Sequence, residues 1–228
     1  LLTSEIGPII EDRFDPNTQV TNLKPGTWLF EWTIINGVCE RSTSSMQINV
    51  QRGPSPSNAG VDQEKCDNSP VIMEANVPFR GLGTWSLVSG PNNPIYSDIH
   101  SNNTSITGLI SGTYVFRWTI STGINCPDTI DDVTVIVRDV ADAGEDIISC
   151  DQGAILLVGT IGTSGTWSFV SGPGSPILIQ VPASNSASVS NLSKGESIFR
   201  YTIDAVGTCP NSTDDVSVII TGEPSTAN

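Results

Sequence analysis

One pattern is written three times along this chain, and it constrains the fold more than any other feature. "PGTWLFEWTIINGVCERSTSSMQINV" runs from Pro25 to Val50, "SGTYVFRWTISTGINCPDTIDDVTVIV" from Ser111 to Val137, and "KGESIFRYTIDAVGTCPNSTDDVSVII" from Lys194 to Ile220. Earlier in the later copies, "GTWSLVSG" around Trp85 is answered by "GTWSFVSG" around Trp167. Cys66 follows "AGVDQEK" and Cys150 follows "AGEDIIS"; Cys126 and Cys209 both precede Pro and lead into an Asp-Asp pair. The offset is roughly 80–85 residues, one compact domain and not a small solenoid unit. The first copy matches only from its later half, because Leu1 falls just after where its "GTW" strand belongs. The expected organisation is therefore the C-terminal part of a truncated repeat over 1–53, complete repeats over 54–139 and 140–222, and the start of a linker at 223–228. These are called repeats 1, 2 and 3 below, and they read as a window on a longer tandem array.

Within each copy the period is two. Tyr114, Phe116, Trp118 and Ile120 share one face, while Val115, Arg117 and Thr119 share the other. Val133, Val135 and Val137 alternate in the same way after a turn around "STGIN", so the two segments read as an antiparallel hairpin. Repeat 1 keeps the inner face with Trp28, Phe30, Trp32 and Ile34, and repeat 3 with Ser197, Phe199, Tyr201 and Ile203. Shorter segments such as "PVIMEANV", "NPIYSDI" and "TSITGL" are bounded by Gly, Pro, Asn and Ser. No segment reads as a helix. About seven short strands per repeat, with turns every eight to twelve residues, predict an all-β fold of tandem immunoglobulin-like sandwiches. Trp85, Trp118, Trp167 and Tyr201 are expected in the cores, with Trp85 and Trp167 on a central strand.

Composition excludes several classes of partner. A formal net charge of −14 leaves no basic surface to neutralise phosphates, which argues against nucleic acid and against docking on an anionic membrane. No apolar run approaches the ~20 residues of a membrane helix. Five cysteines in a Lys-poor, β-rich chain point to an oxidising compartment. Zinc is excluded by the absence of C-x-x-C and by a single histidine, His100.

The combination of "NAGVDQEKCD" or "ADAGEDIISCD" opening a repeat, "GTWSxVSGP" in its middle, and "GTYxFRWTI…C…TDDVTVIV" at its end resembles the PKD-like, immunoglobulin-like repeats of Bacteroidota cell-surface and gliding-motility adhesins. The resemblance implies export by the type IX route, a non-catalytic adhesive or stalk role at the bacterial surface, and neighbouring repeats of the same chain as partners. It also implies O-glycosylation at Asp-Ser/Thr-aliphatic sequons, which would make Thr129 in "DTI" a sugar acceptor. Repeat 1 departs from the pattern, with Ser44 and Ser45 in place of the Asp-Asp pair. Two alternatives remain open: spacer repeats of a secreted polysaccharide-degrading enzyme, or a glycan- or protein-binding module.

The cysteines pose a topological question. Pairing within repeats would join Cys66 to Cys126 and Cys150 to Cys209. Cys66 lies at the end of the first strand, however, and Cys126 in the loop between the last two. In an immunoglobulin-like sandwich these sit at opposite ends, about 20 Å apart along a strand of six or seven residues. A disulfide tolerates Cα separations only up to ~7 Å. In a head-to-tail array the bottom of one domain faces the top of the next, which favours Cys66–Cys209 across the junction. Cys39, Cys126 and Cys150 would then have partners outside the chain. Pairing within repeats, or free thiols, remain alternatives.

No catalytic constellation assembles. His100 stands in the polar loop "SDIHSNN", no G-x-S-x-G sits on a strand-to-helix turn, and no Gly-rich phosphate loop opens a helix. The pairs Asp131/Asp132 and Asp214/Asp215 open strands, where one member of each is expected to satisfy backbone donors. Calcium is the competing reading for the acids of the junction, Asp139, Asp142, Glu145 and Asp146, although their spacing matches no EF-hand.

Overall fold

The computed structural model describes residues 7–67, 69–123, 126–150, 153–181 and 183–222. The linker segment 223–228 lies outside them. All regular structure among the described residues is β. Repeat 1 contributes β1 (Ile9–Ile10), β2 (Val20–Thr21), β3 (Gly26–Ile34) and β4 (Ser42–Val50). Repeat 2 contributes β5 (Gln63–Lys65), β6 (Val71–Ile72), β7 (Leu82–Ser89), β8 (Ile95–Tyr96), β9 (Ser105–Thr107), β10 (Gly112–Ser121) and β11 (Thr129–Val137). Repeat 3 contributes β12 (Ile147–Ser149), β13 (Ile155–Val158), β14 (Thr166–Ser171), β15 (Ile177–Gln180), β16 (Ser186–Ser190), β17 (Gly195–Ile203) and β18 (Ser212–Ile220).

The chain divides into two compact units. One comprises Leu1–Ser57, Pro78–Gly83 and Thr119–Ile130; the other comprises Asn58–Val77, Thr84–Trp118 and Asp131–Asn228. In the first, β3 and β4 form a hairpin paired from Gly26↔Val50 to Ile34↔Ser42, and β1 pairs with β2.

Repeats 2 and 3 have the same plan. Each has a four-stranded sheet, ordered β5-β11-β10-β7 and β12-β18-β17-β14, and a three-stranded sheet, ordered β6-β9-β8 and β13-β16-β15. This is the immunoglobulin-like β-sandwich that the strand count implies. The alternation along β10 and β17 puts aromatic side chains inward, and they pack in equivalent pairs. Trp85 and Trp118 have ring centroids 5.0 Å apart, and Trp167 and Tyr201 5.1 Å, both tilted. All four are buried. Trp85 donates its indole N–H to the Ser101 carbonyl at 3.1 Å and Trp167 to that of Asn185 at 3.0 Å, so neither polar handle is stranded in the core. Their strands, β7 and β14, are edge strands of the four-stranded sheets, not the central ones expected. Burial there comes in part from the paired aromatic on the one flanking strand, Trp118 of β10 or Tyr201 of β17.

The first strand of each complete repeat explains the "AG-x-D" motif. Gly60 (φ +92°) and Gly144 (φ +80°) turn the chain in the left-handed region, where a side chain would be strained. Beyond the turn, β5 and β12 run parallel to the last strands, β11 and β18. Asp62 and Asp146 each accept a backbone N–H from that last strand, at Thr134 and Ser217, both at 2.8 Å.

Candidate functional site

The parallel pairing of β5 with β11 decides where its cysteine goes. β5 finishes at the same end of the sandwich as β11, so Cys66 emerges beside Arg138, where repeat 2 hands the chain to repeat 3. Arg138 N donates to the Lys65 carbonyl there, at 2.9 Å. From repeat 3, the β17–β18 loop comes forward. Gly207 turns it at φ +65°, Cys209 N closes the turn on the Val206 carbonyl at 3.1 Å, and Asn211 Oδ1 accepts Ala205 N at 2.8 Å. Cys66 and Cys209 form a disulfide with a Cα–Cα distance of 5.3 Å, spanning 143 residues of sequence.

An ionic clamp lies beside the bridge. Glu64 Oε1 accepts Arg138 Nε at 2.7 Å and Nη2 at 2.6 Å. Its other oxygen accepts the Thr208 amide at 2.8 Å and the Thr208 hydroxyl at 2.5 Å. One carboxylate of repeat 2 is thus held by its own arginine and by the loop of repeat 3. The Thr208 hydroxyl, then the Thr208 amide, then Arg138 lower the Glu64 pKa from 4.5 to about 2, because each bond favours the charged form.

The intervening segment is also tied down. Ala141 N donates to Ser212 Oγ at 2.9 Å, and Thr163 Oγ1 donates to Asp139 at 2.6 Å. Thr160 Oγ1 donates to the Val140 carbonyl at 2.8 Å and accepts Asp142 N at 2.9 Å. The Asp-Asp pairs divide their labour. Asp131 and Asp214 accept the amides of Ala59 and Ala143 in the first-strand segments, at 2.7 and 2.8 Å. Asp132 and Asp215 form bidentate pairs with Arg117 and Arg200 on the preceding strands, at 2.7 and 2.8 Å in both repeats. The arginine holds each of these two carboxyls below the usual aspartate range.

Two expectations are corrected. The within-repeat disulfide alternative is not formed: Cys126 and Cys150 are thiols, as is Cys39, because each such pair would have to span the length of a sandwich. The calcium set does not converge, and among the described residues no group of three or more His, Cys, Asp or Glu is arranged to hold a metal ion. Asp139 and Asp146 take the Thr163 and Ser217 donors, Asp142 Oδ1 accepts Gly144 N at 2.9 Å, and Glu145 stays exposed. Thr129 is half-buried, and its Oγ1 donates to the Ser55 carbonyl at 2.8 Å. His100 lies exposed in the loop between β8 and β9, with Nδ1 3.2 Å from the Thr84 hydroxyl. The Glu64–Thr208 contact has no local sequence signal, because nothing in one sequence links positions 144 residues apart. The Arg117–Asp132 pair had one: a cation and an anion on the outward faces of hairpin partners.

No family model matches the chain, and no curated protein matches it. Solved structures do. An endo-fucoidan hydrolase of glycoside hydrolase family 107 aligns at 14% identity over 98% of this chain and 38% of its own, with a TM-score of 0.30. The insect immune protein hemolin aligns at 11% identity over 84% of this chain and 56% of its own, with a TM-score of 0.44. A titin structure of three immunoglobulin domains aligns at 11% identity over 85% of this chain and 74% of its own, with a TM-score of 0.38. The chain spans little more than a third of the hydrolase it matches.

Proposed function

We propose that this chain is a stretch of an extracellular, non-catalytic stalk: tandem immunoglobulin-like repeats of a large bacterial surface adhesin of the Bacteroidota type, exported by the type IX route. Its task is to hold a binding tip away from the cell, and its immediate partners are neighbouring repeats of the same chain. The observation that carries this reading is the junction between repeats 2 and 3, which joins a disulfide, a shared carboxylate and a hydrogen-bonded linker. Such a junction opposes bending, which a stalk needs and an ordinary flexible spacer does not. A structural disulfide persists outside the reducing cytoplasm, in keeping with a surface location. The acidic surface keeps such an array soluble and away from anionic lipid.

The test is to raise antibodies against the folded chain and label intact cells of its source, with and without protease shaving. The expected result is labelling of intact cells that shaving removes. Signal confined to lysed cells would overturn the reading.

A further inference from the structure

The Cys66–Cys209 bond also decides how the chain carries a pull along its length. Tension follows the shortest covalent route. With the bond open, that route runs through every residue between two cysteines 143 positions apart. With the bond closed, it leaves the backbone at Cys66, crosses two sulfurs and rejoins it at Cys209, where the Cα atoms are 5.3 Å apart. Residues 67–208 then form a closed loop beside the route. Fully extended, that loop holds roughly 500 Å of chain. What remains on the route is already straight. In repeat 2 it is the first-strand segment, with β5 running from Gln63 to Lys65 immediately before Cys66. In repeat 3 it is the last strand, β18, from Ser212 to Ile220, just after Cys209. A strand rises about 3.2–3.4 Å per residue, close to the limit of the chain, so neither segment has much slack.

The two routes load the sandwiches differently. Without the bond, a pull draws the start of β5 one way and the end of β11 the other. These strands are parallel, so the pull shears the pairs Gln63↔Val135, Glu64↔Ile136 and Lys65↔Val137. In repeat 3 it shears β12 against β18 in the same way, across Ile147↔Val218, Ile148↔Ile219 and Ser149↔Ile220. Asp62 and Asp146 add one side-chain bond to each set. With the bond, β5 is pulled at both of its ends, and so is β18. Each then passes the load on as a taut strand, and β12 lies off the route. The remaining strands of both sandwiches feel no net force.

We propose that the Cys66–Cys209 bond is a tension shunt. It carries axial load from repeat 2 to repeat 3 while both sandwiches stay folded beside the load path, and a small thiol that opens it hands the load to them. The proposal rests on the junction reading above, and adds resistance to pulling to the resistance to bending. A crevice of about 130 Å³, lined by Cys66, Cys209, Val206 and Pro210 among others, gives such a thiol access to the bridge. In the exchange, the reagent's thiolate bonds to the sulfur of one cysteine, the bridge breaks, and the other cysteine leaves as a thiolate. One exchange is therefore enough to move the load.

The experiment holds the full chain, its three free thiols alkylated, by tags at its two ends in an optical trap at constant force. Repeat 1 precedes the bond and unfolds without thiol in every variant, so its step is identified first. The oxidised chain should then keep its length until dithiothreitol is added. The opening event should be followed by two separate later steps, each of roughly 200–250 Å, as residues 67–137 and 138–208 come onto the route. Cys66→Ser should show the same two steps at the same force without thiol. Release of the whole length in the opening event itself would mean that the sandwiches had unfolded behind the bond, and would overturn the proposal. So would repeats 2 and 3 of Cys66→Ser unfolding no faster under load than without it. Mass spectrometry of a non-reducing digest reads the bond separately. Absence of the Cys66–Cys209 peptide sinks the junction reading, whereas its presence with a single release sinks only the shunt.

Discussion

The β3–β4 hairpin of repeat 1 and the β10–β11 hairpin of repeat 2 are nearly the same sentence with opposite fates. Trp28, Phe30, Trp32 and Ile34 in one answer Tyr114, Phe116, Trp118 and Ile120 in the other. The second set is entirely buried; in the first, Trp32 is 38% exposed and Ile34 58%. Met46, paired with Phe30 across the hairpin, is 59% exposed. What differs is the opposing layer. Repeat 2 lays the sheet β6-β9-β8 against its hairpin. Among the described residues, repeat 1 has only the two-residue strands β1 and β2 besides its hairpin, with no counterpart of β5, β6 or β7. The outer faces differ too. Where Arg200 pairs with Asp215 in repeat 3, repeat 1 sets Glu31 opposite Ser45. Alternation decides which face a side chain takes, and the neighbouring layer decides whether that face is dry.

The sharpest way to break this comparison is to truncate the same residue in both hairpins. Trp118→Ala removes a fully buried indole and should cost about 3–5 kcal/mol in denaturant unfolding of its repeat. Trp32→Ala should cost less than about 1 kcal/mol, as surface changes do. Equal losses would mean that the hairpin of repeat 1 is covered in solution.

A second comparison sets the locked junction against itself when unlocked. Replacing Cys66 and Cys209 by Ser should leave both sandwiches folded but let repeats 2 and 3 move independently. Residual dipolar couplings would then need two alignment tensors where the oxidised protein needs one.

The ionic clamp is a smaller effect. The Glu64 pKa is lowered from 4.5 to about 2, so its contribution is complete above about pH 4.5 and is lost as pH falls through about 2. In the reduced protein, coupling between the repeats should weaken as pH drops across that window. Glu64→Gln should remove the pH dependence while loosening the junction at every pH.

Least of all should follow from the outer faces. Asp215→Asn breaks an exposed pair worth about 0–1 kcal/mol. Ser45→Asp should gain nothing, because its partner across the strands is Glu31.

Much of this architecture could be read from the residues. Inner faces and hairpins follow from period-two alternation and from the recurrence of Trp and Cys. The Cys66–Cys209 pairing could be argued because strand direction fixes which end of a sandwich a cysteine occupies. The parallel course of β5 was hidden, since three residues carry no usable periodicity, and with it the closeness of Glu64 to Thr208. The acidic run Asp139–Asp146 misled for a different reason. Carboxylates that bind metal and carboxylates that cap backbone amides have the same composition, and only direction separates them. Here Asp142 and Asp146 turn to the amides of Gly144 and Ser217.

The central claim is that repeats 2 and 3 are locked to each other, not each stapled within itself. Digestion of the oxidised, alkylated chain without reduction, followed by mass spectrometry of the linked peptides, tests it directly. The account predicts Cys66 joined to Cys209, with Cys39, Cys126 and Cys150 recovered as alkylated thiols in dilute protein. Cys66 joined to Cys126, or Cys150 joined to Cys209, would contradict it.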